Sequence, residues 1–231
     1  MITLRFNNLD NLILFDERYV NVIEISDKKL FKKIIYILNK YSKNIEEGND
    51  VILFENENRI EISKNLLVVN DFYNIDVNSK KFLKLLYNDI EMQYNYEYGE
   101  ENILINLEEI FRNLKDIFYN YDFEFEYKRE LKVSDILKCI GIKLNEYYYD
   151  NPFDNLIFLF DLISLFKTYK VVALINAKIF FTDEELIEIY KAALQRNINL
   201  LLLEYGEESE LLKYENKLYV DCDFDEFIFK K

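Results

Sequence analysis

An α/β fold is predicted from three observations. Val171–Ile175 is an unbroken apolar run, and Ile198–Leu203 is another, interrupted only by Asn199. Strands apolar at every position are covered on both faces, which points to parallel pairing inside an α/β layer. Between them lies a well-signalled helix: Thr182 and Glu185 have capping-box spacing, and Phe181 and Leu186 can close a hydrophobic staple. Residues 169–204 therefore read as strand, helix, strand, with a crossover of ordinary length.

Taken in order, residues 2–6 and 12–25 read as two or three short strands around the turn cluster Asn7–Asn11. Ser26 is expected to cap a helix over 27–41, with Leu30, Phe31, Ile34, Ile35 and Leu38 on its apolar face. Lys28, Lys29, Lys32, Lys33 and Lys40 line its other faces, as a solvated surface or a phosphate-facing patch. Val51–Phe54 and Ile60–Ile62 form a hairpin about Asn56-Glu57-Asn58, and Leu66–Val69 is a further strand. The first 70 residues thus read as an antiparallel lobe with one helix.

Asn78 or Ser79 starts a long helix that Gly99 ends, and a second runs from about Glu101 to Tyr121. In the second, Leu104, Leu107, Phe111, Leu114, Phe118 and Tyr121 are spaced 3, 4, 3, 4, 3, the a/d seam of a coiled coil. The pair reads as a helical hairpin whose seam packs within it or also meets another subunit. Acid and aromatic residues then alternate over 122–127, as in a strand with a carboxylate face and an aromatic face. Ser134 is expected to cap a short helix that ends at Gly141. Pro152 opens a helix over 152–166 that is apolar almost all round, as in a central buried helix. Residues 217–229 alternate again and supply the last strand or two.

Composition narrows the chemistry. A chain of 231 residues has one or two domains, and half its residues are hydrophobic, which excludes disorder. It has no histidine, so no histidine base, triad or metal ligand exists, and a metal site must be built from oxygens, favouring calcium or magnesium. Four isolated glycines build neither phosphate-cradling motif, and no nucleophile stands beside a base, so no catalytic residue is assigned. Cys139 and Cys222 read as reduced thiols of a cytoplasmic protein, and no segment reads as a signal or membrane span.

The net charge of −14 argues against a generic nucleic-acid binder, yet 29 lysines and arginines remain to be gathered on one surface. Asp122, Glu124 and Glu126 share a strand face, with Glu130 and Asp135 close in sequence. They read as a solvated face or as a calcium site that relieves their mutual repulsion. Arg59, Lys64, Lys128, Arg129, Lys132 and Lys138 read as scattered ion-pair partners or as a sequence-independent phosphate track. Asp221-x-Asp223-x-Asp225 starts like an EF-hand loop but has Glu226 where glycine is required, so a polar strand face is the better reading.

The order of segments resembles the Csn2 family of type II-A CRISPR adaptation proteins, in its short form. The likeness is carried by YNIDVNSKKFLKLL at Tyr73–Leu86, ILKCIGIK at Ile136–Lys143, VVALINAKIFFTDEELIEIYK at Val171–Lys191 and NLLLLE at Asn199–Glu204. The resemblance implies a head similar to a P-loop ATPase but without its nucleotide motif, at 1–70 and 138–231, with an inserted helical leg at 71–137. It further implies a tetrameric ring threaded by linear double-stranded DNA, supported by calcium and without catalysis. Such a ring would assist spacer capture alongside the CRISPR integrase and effector nuclease. The acidic strand and its basic neighbours match the family's calcium-binding region in position. A metal-dependent nuclease and a protein-only scaffold are the alternatives. Charge fits poorly, since four copies at −14 each would carry −56.

Overall fold

The computed structural model describes residues 1–45, 48–99, 101–121, 126, 131–145 and 151–230, except for the side chains of 101–104, 106, 107 and 116. The chain forms two compact units, Met1–Ile75 with Tyr148–Lys231, and Asp76–Tyr147.

The first unit holds two sheets. β1 (Ile2–Phe6), β2 (Ile13–Leu14), β4 (Val51–Glu55) and β5 (Asn58–Ile60) form an antiparallel sheet in the order β2-β1-β4-β5. Asn56 and Glu57 both have positive φ, so the β4–β5 connection is a two-residue hairpin turn whose twist matches its strands. The second sheet has the order β10-β9-β3-β8-β7-β6. Its members are β3 (Val20–Ile25), β6 (Leu66–Val69), β7 (Val171–Ile175), β8 (Asn199–Tyr205), β9 (Glu215–Val220) and β10 (Glu226–Lys230). All its pairings are parallel except β9–β10. Residues 1–70 are therefore not an antiparallel lobe: β3 and β6 belong to the parallel sheet, paired with strands far along the chain.

Each face of this sheet has its own cover. Ile23, Ile25, Leu201, Leu203, Leu218 and Val220 join one core with Leu30, Phe31, Ile34 and Leu38 of α1 (Lys28–Ser42) and with Leu4, Phe6 and Leu53 of the antiparallel sheet. Alternate strand residues face the other way. On that side lie α6 (Pro152–Phe166), α7 (Ala177–Phe180) and α8 (Asp183–Gln195), with Leu156, Phe160, Leu186, Ile189 and Tyr190 fully buried. Burial of each such side chain contributes roughly 1.5–3 kcal/mol.

The crossover is built as its sequence predicts. β7 and β8 are adjacent and parallel. Thr182 Oγ1 accepts from Glu185 N–H at 3.3 Å, and Glu185 Oε2 accepts from Thr182 N–H at 2.8 Å. Phe181 and Leu186 are both buried.

Local readings shift elsewhere. α1 is capped by Asp27, whose carboxylate accepts from Leu30 N–H at 2.7 Å, while the Ser26 hydroxyl reaches Gly206 O at 2.9 Å. α6 is not buried all round: Leu165 is 68% exposed, and Asp161 pairs with Arg196 at 2.8 Å. Asp221–Asp225 is a turn and not a strand face, with Asp221 Oδ1 accepting from Asp223 and Asp225 N–H at 2.9 and 3.0 Å. A short α2 (Ile62–Asn65) precedes β6.

The second unit holds α3 (Lys80–Tyr98), α4 (Glu101–Phe118) and α5 (Val133–Ile140). Ser79 caps α3, and Gly99 ends it at φ 82°. α3 packs on α5. Tyr87 Oη donates to Ile142 O at 2.6 Å, and Asn78 both donates to and accepts from the Leu144 backbone, at 3.0 and 2.9 Å. Ser134 is not the cap of α5: its N–H donates to Glu91 Oε2 at 2.9 Å, and Asp135 accepts from Lys132 N–H at 3.4 Å. On the expected a/d seam, Phe111 and Phe118 are half-buried and Leu114 is exposed, while Tyr121 is exposed and lies past the end of α4.

Candidate functional site

In open α/β sheets, ligands bind outside the carboxyl ends of the parallel strands. Here a buried set of charged side chains crosses the sheet, from near the carboxyl ends of β3 and β8 to the first residues of β9. Glu24 on β3 lies beside Glu204 on β8 in the sheet register. Glu215 and Lys217, two apart on β9, share a face, and Lys178 stands on α7 just after β7. All but Lys178 are at most 5% exposed.

The set is closed on itself. Lys178 Nζ reaches Glu24 Oε1 at 2.9 Å, Ser209 Oγ at 3.0 Å and Glu215 Oε1 at 3.1 Å. Lys217 Nζ lies 3.2 Å from Glu24 Oε2 and donates to Ser209 O. Tyr190 Oη donates to Glu215 Oε1 at 2.8 Å, and Glu215 Oε2 accepts from Leu212 N–H at 3.0 Å. Ser209 N–H donates to Glu24 at 3.0 Å, so the connection from β8 to β9 is fastened to the same charges. Among the described residues, no buried side-chain polar atom lacks a partner.

Electrostatics follow from the burial. Burial pushes the Glu204 carboxyl up to about 8, against the opposing pull of the Lys178 N–H and ammonium, so this acid is largely protonated at neutral pH. Glu24 also suffers from burial, but Ser209 and Lys178 outweigh it and hold its pKa below the ordinary carboxylate value. Burial works against the Lys178 ammonium, yet Glu215 and Glu24 hold its pKa above the usual lysine value. With Glu204 neutral, two carboxylates balance two ammonium groups. No lysine of this set is left to hold a phosphate.

The exposed cations are arranged differently. Lys28, Lys29, Lys32 and Lys33 are all exposed on α1, at i, i+1, i+4 and i+5, opposite its buried stripe. Lys40, half-buried, lies about two turns further along, 4.7 Å from the Tyr36 ring centre, and Tyr36 is 60% exposed. Among the described residues, no ion pair engages the first four lysines.

The residues singled out by sequence are scattered. Arg59, on β5, donates to Asn49 Oδ1 at 2.8 Å and Gly48 O at 2.7 Å, and so ties a turn together. Lys64, on α2, pairs with Glu61 at 2.5 Å. Lys132 is exposed just before α5, and Lys138 pairs with Asp135 at 3.4 Å. Glu126 is exposed, while Asp122, Glu124, Lys128, Arg129 and Glu130 lie outside the described residues. Among the described residues, no three acids gather as a metal site, and Asp135 is already engaged by Lys132 N–H and Lys138. No helix among the described residues is long and apolar enough to cross a membrane. Cys139 and Cys222 are free, exposed thiols.

Comparison with known proteins adds the family. The family model for CRISPR-associated protein Csn2 matches residues 40–224. A CRISPR-associated protein Csn2 of Enterococcus faecalis is 24% identical over 79% of this chain and 81% of its own length. A CRISPR-associated protein Csn2 of Streptococcus agalactiae is 21% identical over 93% of this chain and 94% of its own. Among solved structures, Stu0660 of Streptococcus thermophilus superposes with a TM-score of 0.56 at 12% identity, covering 94% of this chain and 74% of that one. That likeness speaks to the fold alone, and agrees with the α/β sheet described above. An ATP-binding cassette of an ABC transporter in its ADP conformation aligns at a TM-score of 0.44 and 11% identity, over 94% of this chain and 86% of that one.

Proposed function

Because this chain belongs to the Csn2 family of CRISPR-associated proteins, we propose that it serves CRISPR adaptation as a non-catalytic binder of linear double-stranded DNA ends. The binding ignores sequence. Four copies form a ring around the duplex in the cytoplasm and present it to the CRISPR integrase and effector nuclease.

The observation that carries this reading is the segregation of the lysines. Lys178 and Lys217 are neutralised by buried carboxylates, Lys178 by Glu24 and Glu215 and Lys217 by Glu24. Lys28, Lys29, Lys32 and Lys33 are gathered on one exposed helix face, as contacts to a phosphate backbone require. This stripe replaces Arg59 and Lys64 as the principal phosphate contact of the first unit, because those two serve local turns. Calcium is the supporting ion. The chain has only oxygen ligands to offer, and a net charge of −14 per copy repels DNA unless cations bind. The candidate ligands are Asp122, Glu124, Glu126, Glu130 and Asp135.

A mobility-shift titration with linear and covalently closed duplexes of equal sequence tests the reading, each with calcium and with chelator. Retention of the linear form only, lost on chelation, is the expected result. Equal retention of both forms would replace the ring with an open groove. Cleavage of the DNA would overturn the non-catalytic assignment, and retention of neither form would leave a protein-only scaffold.

A further inference from the structure

β10 is the outermost strand of the six-stranded sheet and pairs on one side with β9. Among the described residues, no strand pairs with its other side. The phase of the ladder decides which backbone groups face outward. Asp221 N–H donates to Asp225 O at 3.1 Å across the turn, so that opposed pair is a hydrogen-bonded one. Bonded and non-bonded pairs alternate, which makes Val220–Glu226, Leu218–Ile228 and Asn216–Lys230 non-bonded. The N–H and C=O groups of Glu226, Ile228 and Lys230 therefore point away from β9.

The middle of this edge is apolar, with one charge at each end. Phe227 and Ile228 are 46% and 52% exposed and, as consecutive strand residues, face opposite sides of the sheet. No proline interrupts the strand. Its sequence, Glu-Phe-Ile-Phe-Lys, is complementary to itself when run antiparallel. Ile228 then meets its own copy, Phe227 meets Phe229, and Glu226 meets Lys230. The residues with outward backbone groups are the ones this register bonds together. Glu226 is fixed at the start of the strand by the N–H groups of Asp10 and Asn11, at 2.7 and 2.9 Å.

We propose that β10 is a homotypic docking edge. A second copy adds its own β10 antiparallel about a two-fold axis through Ile228, joining two six-stranded sheets into one continuous sheet. Strand addition of this kind satisfies backbone groups and buries apolar side chains on both faces. The inference rests on sheet phase and sequence symmetry, not on DNA binding. In a closed tetramer with two kinds of two-fold contact, it supplies one of them.

Directed cross-linking tests the register. In full-length protein carrying Cys139→Ser and Cys222→Ser, Ile228→Cys should give a covalent dimer on mild oxidation, because opposed residues of an antiparallel pair lie within disulfide range. Lys230→Cys, opposite Glu226 and not itself, should stay largely uncross-linked. Failure of Ile228→Cys to link, or equal linking by Lys230→Cys, would overturn the proposal. Sedimentation of Ile228→Lys, with its fold checked by circular dichroism, supplies the second readout. The mass should halve relative to the unmodified protein, and an unchanged mass would contradict the edge. A dimer that falls to monomer supports the edge and refutes the tetramer, whereas a tetramer untouched by the substitution refutes the edge and keeps the ring.

Discussion

Lysine plays two opposite parts in this molecule. Lys217 is 1% exposed and lies against the Glu24 carboxylate, a serine carbonyl and the Phe229 ring, 5.2 Å from its centre. Lys33 has the same side chain but stands on an exposed helix face, engaged by no ion pair among the described residues. The first charge is spent on holding β3, β9 and the β8–β9 connection together. The second is available to an anion brought from outside. A basic count of 29 is therefore a poor guide to nucleic-acid affinity, because location decides which cations a phosphate can reach.

That contrast can be broken first at the buried end. Replacing Lys178 by Met leaves Glu24 and Glu215 short of a cation, and removal of one partner from a buried pair costs about 3–5 kcal/mol. Chemical denaturation should show that loss, and a midpoint shift worth under about 1 kcal/mol would contradict the account of the cluster.

The next effect has the opposite sign. Glu204 is raised to about 8 in the folded chain, above its ordinary value of 4.5. The folded state then binds more protons than the unfolded state between these values, so stability falls as pH rises through that window. Glu204→Gln removes the titration and should stabilise the protein by roughly 1–3 kcal/mol at pH 8, with little change at pH 4. Thermal melts at the two pH values read this directly, and equal shifts at both would be contrary to it. Glu24, whose pKa is lowered, contributes in the reverse direction: its stabilisation is present above the unfolded carboxylate value and is lost as pH falls.

A smaller loss, about 1 kcal/mol, is expected for Thr182→Ala, which removes the hydroxyl of the α8 capping box. Urea melts would show it, and Ser in place of Thr should recover most of it. Smallest in stability, within about 0.5 kcal/mol, should be the joint change of Lys28, Lys29, Lys32 and Lys33 to Gln.

The crossover was legible because its signals are local: two apolar runs, a capping box and a staple within 36 residues. The hairpin after β4 was legible for the same reason, but its second strand is Asn58–Ile60 and not Ile60–Ile62, because the turn takes only Asn56 and Glu57 and Ile62 opens α2. β3 was not, because what makes it a parallel strand is its pairing with β8 and β9, nearly 200 residues away. The buried charge set was missed with it. Glu24, Glu204 and Lys217 each sit in or beside an apolar run, where alternation assigns a charge to a solvated face. The available signal was the coincidence of opposite charges, Glu24 and Glu204 against Lys178 and Lys217, on strands and turns that otherwise read as covered. Residue type alone does not reveal that Arg59 and Lys64 engage neighbouring backbone and side chains.

The salt dependence of binding to a linear duplex, measured for the unmodified protein and for the four-lysine variant of α1, tests the division between buried and surface lysines most directly. The account predicts that the slope of log K against log salt falls by about 0.9 for each phosphate contact removed, with an unchanged melting temperature. An unchanged slope in a folded variant would contradict it and place the phosphate track elsewhere on the chain.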